Sequence, residues 1–167
     1  MMPQIFNTED KKLDFSKYIF NLECNSIINK PQRALWTSPI KTINDVLISP
    51  WLYWCLLEDF RIYKHTYILY LKENLRILTI NNENDLKLLP RIVFEFGTCL
   101  DFKALSEYYD GIYLTENGAS ELHSIRENIS FNSWDVESVC WFNVEWIKDT
   151  YYIKDYYKYL EKKRHLL

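Results

Sequence analysis

Two acidic residues with strand spacing lie near the C-terminal end of the sequence. Asp135 and Glu137 open the segment WDVESVCWFNVEWIK, which is otherwise apolar, β-branched and aromatic. Alternate side chains of an extended strand share one face, so we expect the two carboxylates on the same side as Val139. Paired carboxylates supply acid–base catalysis or stabilise positive charge in a transition state. Acids at a solvated strand end are also common, and the spacing alone leaves both interpretations open.

The composition indicates one globular domain of 167 residues, with 48% hydrophobic and 26% charged residues. Aromatic residues make up 17% of the chain, and their side chains suit a core, an interface or a stacking pocket. The net charge of −3 argues against nucleic acid as the main partner. The basic C-terminal segment KYLEKKRHLL is expected to be a solvated helix end, with contact to phosphate as the alternative.

The four cysteines, at positions 24, 55, 99 and 140, are widely spaced and form no CxxC or His-bracketed pair. This spacing argues against a zinc site, and we expect no bound metal. The N-terminal segment MMPQIFNTEDKKLDF lacks the basic head and apolar block of a signal peptide, and no apolar stretch approaches membrane-spanning length. We therefore expect reduced, buried thiols in a cytoplasmic protein without membrane contact.

The segment SPWLYWCLLEDFRIYKH has the clearest helical pattern. Ser49 can cap the first turn, and Pro50 suits the first helical position. The segment is apolar over most of its circumference, which predicts a largely buried helix.

The other elements are predicted from shorter patterns. Strands are expected at residues 34–38, between two prolines, and in the segments TYILYLK, LRILTI, VFEF, IYLT and VESVCWF. Helices or helical turns are expected in KLDFSKYIFNLECNSII, near Asn84, from Asp101 and in YYIKDYYKYLEKK. Asn117-Gly118 predicts a turn, and ASELHSIRENISFNS a loop or short helix. The total is an α+β fold without the strand–helix alternation of doubly wound nucleotide-binding proteins.

Five segments, in this order, resemble the ADP-ribosyltransferase superfamily. ALWTSP resembles its first strand, PWLYWCLLED its helix beside the nicotinamide pocket, and YILYLKENLRILTINNENDLKLL its strand, turn, strand and acidic helix start. FKALSEYYDGIYL is similar to its helix running into a YDGI turn, and DVESVCWFNVEWI to its closing strand. The likeness spans residues 34–147 and implies a small split β-sheet, antiparallel or mixed, with flanking helices.

The resemblance implies transfer of ADP-ribose from NAD to an intracellular protein or nucleic-acid acceptor. It assigns Glu137 to a ribose hydroxyl, where the carboxylate stabilises an oxocarbenium-like transition state. It assigns Asp135 to orienting or deprotonating the acceptor. The remaining NAD-binding residues that it implies lie in the first strand and the helix after it: Trp36, Thr37, Ser38, Trp51, Tyr53 and Trp54.

These residues have ordinary structural interpretations as well. The three tryptophans would stack nicotinamide or adenine, yet aromatic residues at helical spacing are usually core. Thr37 and Ser38 would hydrogen-bond nicotinamide or ribose, yet they can equally end a strand before Pro39.

Trp36 stands where the family has Arg or His. An indole has one hydrogen-bond donor and no cation, so it cannot replace the contacts of those side chains. This difference favours an alternative function, in which the same fold has a degenerate site and acts as an inhibitor or adaptor of another protein, for example as a phage anti-defence factor. The aromatic excess suits such an interface.

Overall fold

The computed structural model of the chain describes residues 2–25, 29–95, 97–124 and 133–167. The strands in these residues are β1 (Gln4–Thr8), β2 (Asn21–Asn25), β3 (Lys30–Arg33), β4 (Leu35–Pro39), β5 (Lys41–Ile43), β6 (Val46–Ile48), β7 (His65–Leu71), β8 (Ile77–Ile80), β9 (Arg91–Phe94), β10 (Gly97–Leu100), β11 (Gly111–Leu114), β12 (Ser138–Trp141) and β13 (Ile147–Tyr152). The helices are α1 (Pro50–Leu57), α2 (Phe102–Ser106), α3 (Glu116–Ser124) and α4 (Tyr156–Lys163). The α+β class is confirmed.

Seven of the strands form one curled sheet in the order β13-β7-β1-β4-β12-β11-β8. Its strand pairs are antiparallel except for β11 with β8, which are parallel. The pairs β2–β3, β5–β6 and β9–β10 form separate two-stranded ribbons. The helices pack against the sheet: α2 and α3 share buried side-chain contacts with β11 and β12, and α1 and α4 share them with β1 and β6.

The two neighbours of β4 pair with it to different extents. On one side β4 pairs with β12 through Leu35, Trp36 and Thr37. On the other side only two residue pairs join it to β1, Gln4 with Pro39 and Ile5 with Ser38. The two strands therefore separate beyond Ile5, and a gap opens in the sheet at this place.

The buried side chains form three clusters. One lies under α2 and α3 and includes Phe102, Leu105, Ile112 and Trp134. The second joins α1 and α4 to β6, and the third packs against the other side of β4 and β12. In the third cluster the rings of Trp141 and Trp146 stack with centroids 3.8 Å apart. Alternate residues of β4 thus contribute to different clusters, as the pleat of a strand requires.

Helix α1 begins as predicted. The Ser49 hydroxyl accepts a hydrogen bond from the backbone N–H of Leu52 at 3.3 Å, and Pro50 occupies the first turn. The expectation of a largely buried helix is confirmed in part: the face with Leu52, Cys55 and Leu56 is buried, and Trp51, Tyr53 and Trp54 are half-buried. Leu57 on the opposite side is 61% exposed.

One predicted helix is replaced by other elements, and another is shorter than predicted. In the segment KLDFSKYIFNLECNSII, residues 15–17 form one 3-10 turn and residues 21–25 form β2, while residues 26–28 lie outside the described residues. The predicted C-terminal helix begins only at Tyr156, because Tyr151 and Tyr152 extend β13 along β7. In both segments, hydrogen bonding to a neighbouring strand outweighs the local helical pattern.

The predicted turn at Asn117-Gly118 is also wrong, since both residues lie in α3. The glycine is needed for packing rather than for a turn. A Cβ atom at Gly118 would lie far inside contact distance of the carbonyl oxygen of Ile80, so α3 packs on β8 through the bare glycine. The segment predicted as a loop or short helix begins within α3, and its residues 125–132 lie outside the described residues.

The expectation of four reduced thiols is wrong for two of them. Cys24 of β2 and Cys99 of β10 form a disulfide across a sequence separation of 75 residues, whereas Cys55 and Cys140 are free and buried. The disulfide fastens the β2–β3 ribbon to β10. Because disulfides persist in oxidising compartments, this bond removes one support for the cytoplasmic location.

Among the residues that the structure describes, no helix is long and apolar enough to cross a membrane. The longest of them, α3, has nine residues.

Thiol labelling tests the cysteine assignment. Burial raises the pKa of the Cys55 thiol to about 12 and also raises that of Cys140, so both should resist iodoacetamide while the protein is folded. By intact mass, we expect no adduct on the folded protein, two after unfolding without reductant and four after unfolding with reductant. Four adducts without reductant would contradict the disulfide.

The substitution Cys24→Ser should lower the free energy of unfolding by about 2–4 kcal/mol, because the bond closes a long loop.

Candidate functional site

The candidate site is a cleft of about 480 Å3 at the gap between β1 and β4. Trp51 of α1 lines one side, and the segment 133–136 lines another. Lys30 and Trp36 also line the cleft, and their side chains can interact with a ligand. Small-molecule sites are typically apolar concavities of this size with a few placed polar groups, which is the composition of this cleft.

A larger concavity, of about 860 Å3, lies at the turn between β7 and β8. Its charged lining residues Lys72, Glu73, Lys148 and Asp149 are all exposed to solvent. Solvent screens exposed charges, so this surface lacks the desolvated groups with which a small molecule is recognised. We therefore regard the smaller, aromatic cleft as the candidate site.

Tryptophan rings form the walls of the cleft. Trp36 packs edge-on against buried Trp134, with ring centroids 4.7 Å apart and an angle of 80° between the planes. Trp51 lines the cleft and stacks on Trp54 at 5.1 Å. Trp54 is not part of the lining and contacts Phe60 instead. The structure thus brings Trp36 and Trp51 to the cleft and places Trp54 behind Trp51.

Two opposite charges line the same cleft. The Lys30 ammonium lies 4.9 Å from the centroid of the Trp36 ring, a cation–π contact. Burial lowers the pKa of Lys30, and the carboxylate of Asp135 opposes this effect. Asp135, half-buried, also lines the cleft and lies within electrostatic reach of the ammonium.

Contacts of the preceding residue to Trp134 and to β10 hold Lys30 in place. The backbone carbonyl of Asn29, the preceding residue, accepts a hydrogen bond from the Trp134 indole N–H at 2.9 Å. The Asn29 side chain accepts another from the backbone N–H of Leu100, also at 2.9 Å. Asn29 is itself 2% exposed, so the base of Lys30 is anchored in the interior.

The hydroxyls of Ser38 and Thr37 hold the framework together. Ser38 donates to the backbone carbonyl of Glu137 at 2.8 Å and accepts from the backbone N–H of Trp51 at 3.3 Å. Thr37 donates to the Gln4 side chain at 3.0 Å and accepts from the Trp141 indole at 2.7 Å. Both residues line the cleft, but each hydroxyl has its partners inside the protein.

Tyr53 lies away from the cleft. Its hydroxyl donates to the backbone carbonyl of Leu167 at 3.3 Å, and its ring packs with the cluster between α1 and α4. Since residues at successive helical positions point in different directions, Trp51 and Tyr53 contact different parts of the protein.

Asp135 and Glu137 have different neighbours. Strand β12 begins only at Ser138, so the two acids precede it and do not share a strand face. Glu137 is 4% exposed and forms an ion pair with Lys41, and its carboxylate also accepts a hydrogen bond from the Tyr113 hydroxyl. Asp135 is the acid that lines the cleft among the described residues.

Lys41 is shared between a buried and an exposed carboxylate. Besides Glu137 it contacts Glu116 at 2.8 Å, and the Glu116 side chain is 82% exposed. Burial lowers the pKa of Lys41, but the two carboxylates outweigh this effect and the net change is a rise. The hydrogen bond from Lys41 lowers the pKa of Glu116. Burial, followed by the bond to Glu137, raises the pKa of Tyr113. Lys41, Glu116 and Tyr113 therefore keep their ordinary charges at neutral pH.

Sequence patterns did not single out Lys30, Asn29, Trp134 or Lys41. Lys30 has no acidic residue at helical spacing, and Lys41 pairs with Glu116 and Glu137 rather than with Asp45, four residues further on. The carboxylates that neighbour the two lysines are therefore distant in sequence. The sequence signals for this part of the protein were the tryptophans and the pair Asp135 and Glu137, and neither signal indicates a lysine.

Comparisons of the chain with protein-family models, with curated proteins and with solved structures returned no match. What the cleft binds must therefore follow from its own geometry and charges.

Removing Lys41 tests the energetic role of the buried ion pair. Lys41→Met should lower the free energy of unfolding by about 3 kcal/mol in urea at pH 7, because it leaves the Glu137 carboxylate buried without its cation. Glu116→Gln removes the exposed partner of the same lysine and should cost less than about 1 kcal/mol. Since the folded pKa of Lys41 lies above its ordinary 10.5, its contribution is present at neutral pH and is lost as the pH rises through that folded pKa. Equal losses in the two variants would contradict the assignment.

Proposed function

We propose that the cleft binds the nicotinamide end of NAD and that the protein is an intracellular mono-ADP-ribosyltransferase with a protein or nucleic-acid acceptor. The observation that carries this proposal is the cleft between β1 and β4, where Trp36 and Trp51 stand beside Lys30 and Asp135. The tryptophans supply faces for a planar ring, and the lysine supplies a cation for a phosphate. The limited pairing of β1 with β4 is consistent with a split sheet of the ADP-ribosyltransferase type.

The transfer reaction determines where a carboxylate is needed. NAD supplies a bond between nicotinamide and ribose whose cleavage leaves positive charge on the ribose. Transfer breaks this bond, with its electrons leaving on nicotinamide, and forms a bond from the ribose to the acceptor, which gives up a proton. A carboxylate beside the ribose stabilises the transition state. We assign this role to Asp135 because it lines the cleft, whereas Glu137 is held by Lys41 and Tyr113.

In this proposal Glu137 positions the segment that carries Asp135. Its backbone carbonyl accepts the Ser38 hydrogen bond, and its side chain is fixed by Lys41. This differs from the roles that the family resemblance implies, in which Glu137 contacts the ribose and Asp135 the acceptor. The two assignments predict different effects of Asp135→Asn and Glu137→Gln on nicotinamide release.

Nicotinamide release from labelled NAD, with cell lysate as the source of acceptor, tests the proposal. Asp135→Asn should lower the release rate by about 100-fold or more, because it removes the charge beside the ribose. Glu137→Gln should have a smaller effect on rate and a larger effect on stability. Glu107→Gln, at an exposed acid that caps the C-terminal end of α2, is the control. If Glu137→Gln stops release while the protein stays folded, the family assignment of Glu137 is correct instead. If the wild type neither binds NAD nor releases nicotinamide, the transferase proposal fails.

A second function is favoured by the burial of Glu137 and by the apolar surface beside the cleft. Trp54 and Phe60 pack against each other at 5.5 Å, and Phe60 and Leu57 are 53% and 61% exposed. Such aromatic surfaces are typical of protein interfaces. In this alternative the protein is a binding module that inhibits or links a partner protein without using NAD.

Surface substitutions test the second function. Phe60→Ala and Trp54→Ala should weaken binding of a purified partner by about tenfold or more, since aromatic anchors dominate interface energies. Leu88→Ala is the matched control, because Leu88 is 98% exposed elsewhere on the surface. Equal binding by all three variants would exclude this surface as the interface.

A further inference from the structure

One edge of the β9–β10 ribbon is open. Within the residues that the structure describes, β9 pairs with β10 alone, so no strand lies along its other side. Arg91 and Val93 of β9 and the next residue of the same spacing, Glu95, are all exposed, and the exposed fraction of Val93 is 79%. An exposed strand edge with an apolar side chain is a template for pairing with another chain. A ribbon of only two strands also gains stability from a third.

The hydrogen bonds of the ribbon show which backbone groups face the open edge. The backbone N–H of Asp101 donates to the carbonyl of Pro90 at 2.9 Å, and the pairing continues in register along β9. Residues of an antiparallel strand alternate between those that bond the neighbouring strand and those that do not. Every second residue from Pro90 therefore bonds β10. Arg91 and Val93 lie between these residues, so their N–H and C=O groups point to the open edge.

The segment RIVFE at this edge is complementary to itself. When two copies run antiparallel about a two-fold axis at Val93, that residue faces its own copy and the pair exchanges two backbone hydrogen bonds. Arg91 then lies opposite Glu95 of the second copy, on both sides of the axis. Opposite charges across a strand pair stabilise it, and like charges destabilise it. The next registers in which open-edge backbone groups meet are shifted by two residues, and they place Arg91 or Glu95 opposite Val93 instead.

The open edge of β13, at the end of the large sheet, is less suited to pairing. The register of β13 with β7 shifts between Ile147 and Asp149. Such a bulge increases the local twist, and Lys148 lies within it. Bulges and lysines are two devices by which sheet edges avoid pairing with other chains. The β9 edge has no such shift in its register with β10.

We propose that β9 is a dimerisation edge whose partner is a second copy of this chain. Two ribbons of two strands join into one sheet of four, in which the two β9 strands are neighbours. Val93 lies at the two-fold axis, and an ion pair between Arg91 and Glu95 closes the contact on either side. The proposal goes beyond the function proposed above, because none of these three residues lines the cleft.

Sedimentation equilibrium of the wild type and of a proline variant tests the contact. Two short strands form a small interface, so we expect a monomer–dimer equilibrium with a dissociation constant in the micromolar range. The Val93 N–H bonds nothing within the ribbon, so Val93→Pro should keep the fold and leave the protein monomeric. Val93→Thr keeps the N–H and the branched shape and should still dimerise. Thermal unfolding verifies that both variants are folded.

Charge reversal tests the register. Arg91→Glu and Glu95→Arg each place like charges opposite one another on both sides of the axis, so each should weaken the dimer by about tenfold or more. An equimolar mixture of these two single variants should recover the wild-type association, because opposite charges then face each other again. The double variant should recover it for the same reason. Lys103→Glu makes the same change of charge at an exposed position of α2 and should have no effect.

Three results would overturn the proposal. A wild type that stays monomeric at millimolar concentration shows that the edge does not pair with its own copy and leaves it to a strand of another protein. A dimer that Val93→Pro does not weaken uses a different surface. A mixture of the two charge variants that associates no better than either variant alone excludes the register about Val93. Nicotinamide release has no bearing on these measurements, so the dimer and the proposed function stand or fail separately.

Discussion

The uneven pairing of β4 is the constraint on which the rest of the structure depends. Thr37, in the middle of β4, belongs to a buried chain of hydrogen bonds that runs from the Trp141 indole through its hydroxyl to Gln4. An unpaired polar group at this depth would cost about 1–3 kcal/mol, so the chain fixes β12, β4 and the start of β1 relative to one another. It reaches no further along β1 than Gln4. Beyond Ile5 the two strands separate, and the cleft forms where they do.

A buried carboxylate determines which acid faces the cleft. Glu137 is nearly inaccessible, and its ion pair with Lys41 and the Tyr113 hydrogen bond compensate for its burial. These contacts hold residue 137 outside β12 and direct its side chain away from the cleft lining. Asp135, two residues earlier, remains at the cleft. The two acids that looked equivalent in sequence therefore differ: Glu137 is in a buried ion pair and Asp135 lines the cleft.

The β2–β3 ribbon supplies the cation that the cleft would otherwise lack. Trp36 has no charge, but Lys30 of the adjacent ribbon lies over its ring. The ribbon is tied to β10 by the Cys24–Cys99 disulfide and by the hydrogen bond from Leu100 to Asn29. Because these ties act next to Lys30, the position of the ammonium depends on contacts between segments that are distant in sequence. The aromatic walls and the two charges together suit a ligand with a planar ring and an anionic group, which is why NAD remains the proposed ligand.

Local chemistry in the sequence determined the elements with strong signals. Ser49 and Pro50 predicted the start of α1, and the apolar runs around Leu69, Leu78 and Ile112 predicted three strands of the sheet. The strand β1, the ribbons β2–β3 and β5–β6 and the edge strand β13 were not predicted. Their sequences are polar or exposed on one side, so only pairing with a neighbour makes them strands.

The candidate site likewise combines residues that the sequence indicated with contacts that only the fold creates. The sequence contained the tryptophans and the acids, but tertiary structure alone decided that Lys30 meets Trp36, that Cys24 meets Cys99 and that Glu137 meets Lys41. Each of these contacts joins residues without local spacing. The two charge contacts gain strength as burial removes water from both partners, and the disulfide stabilises the fold by closing a long loop.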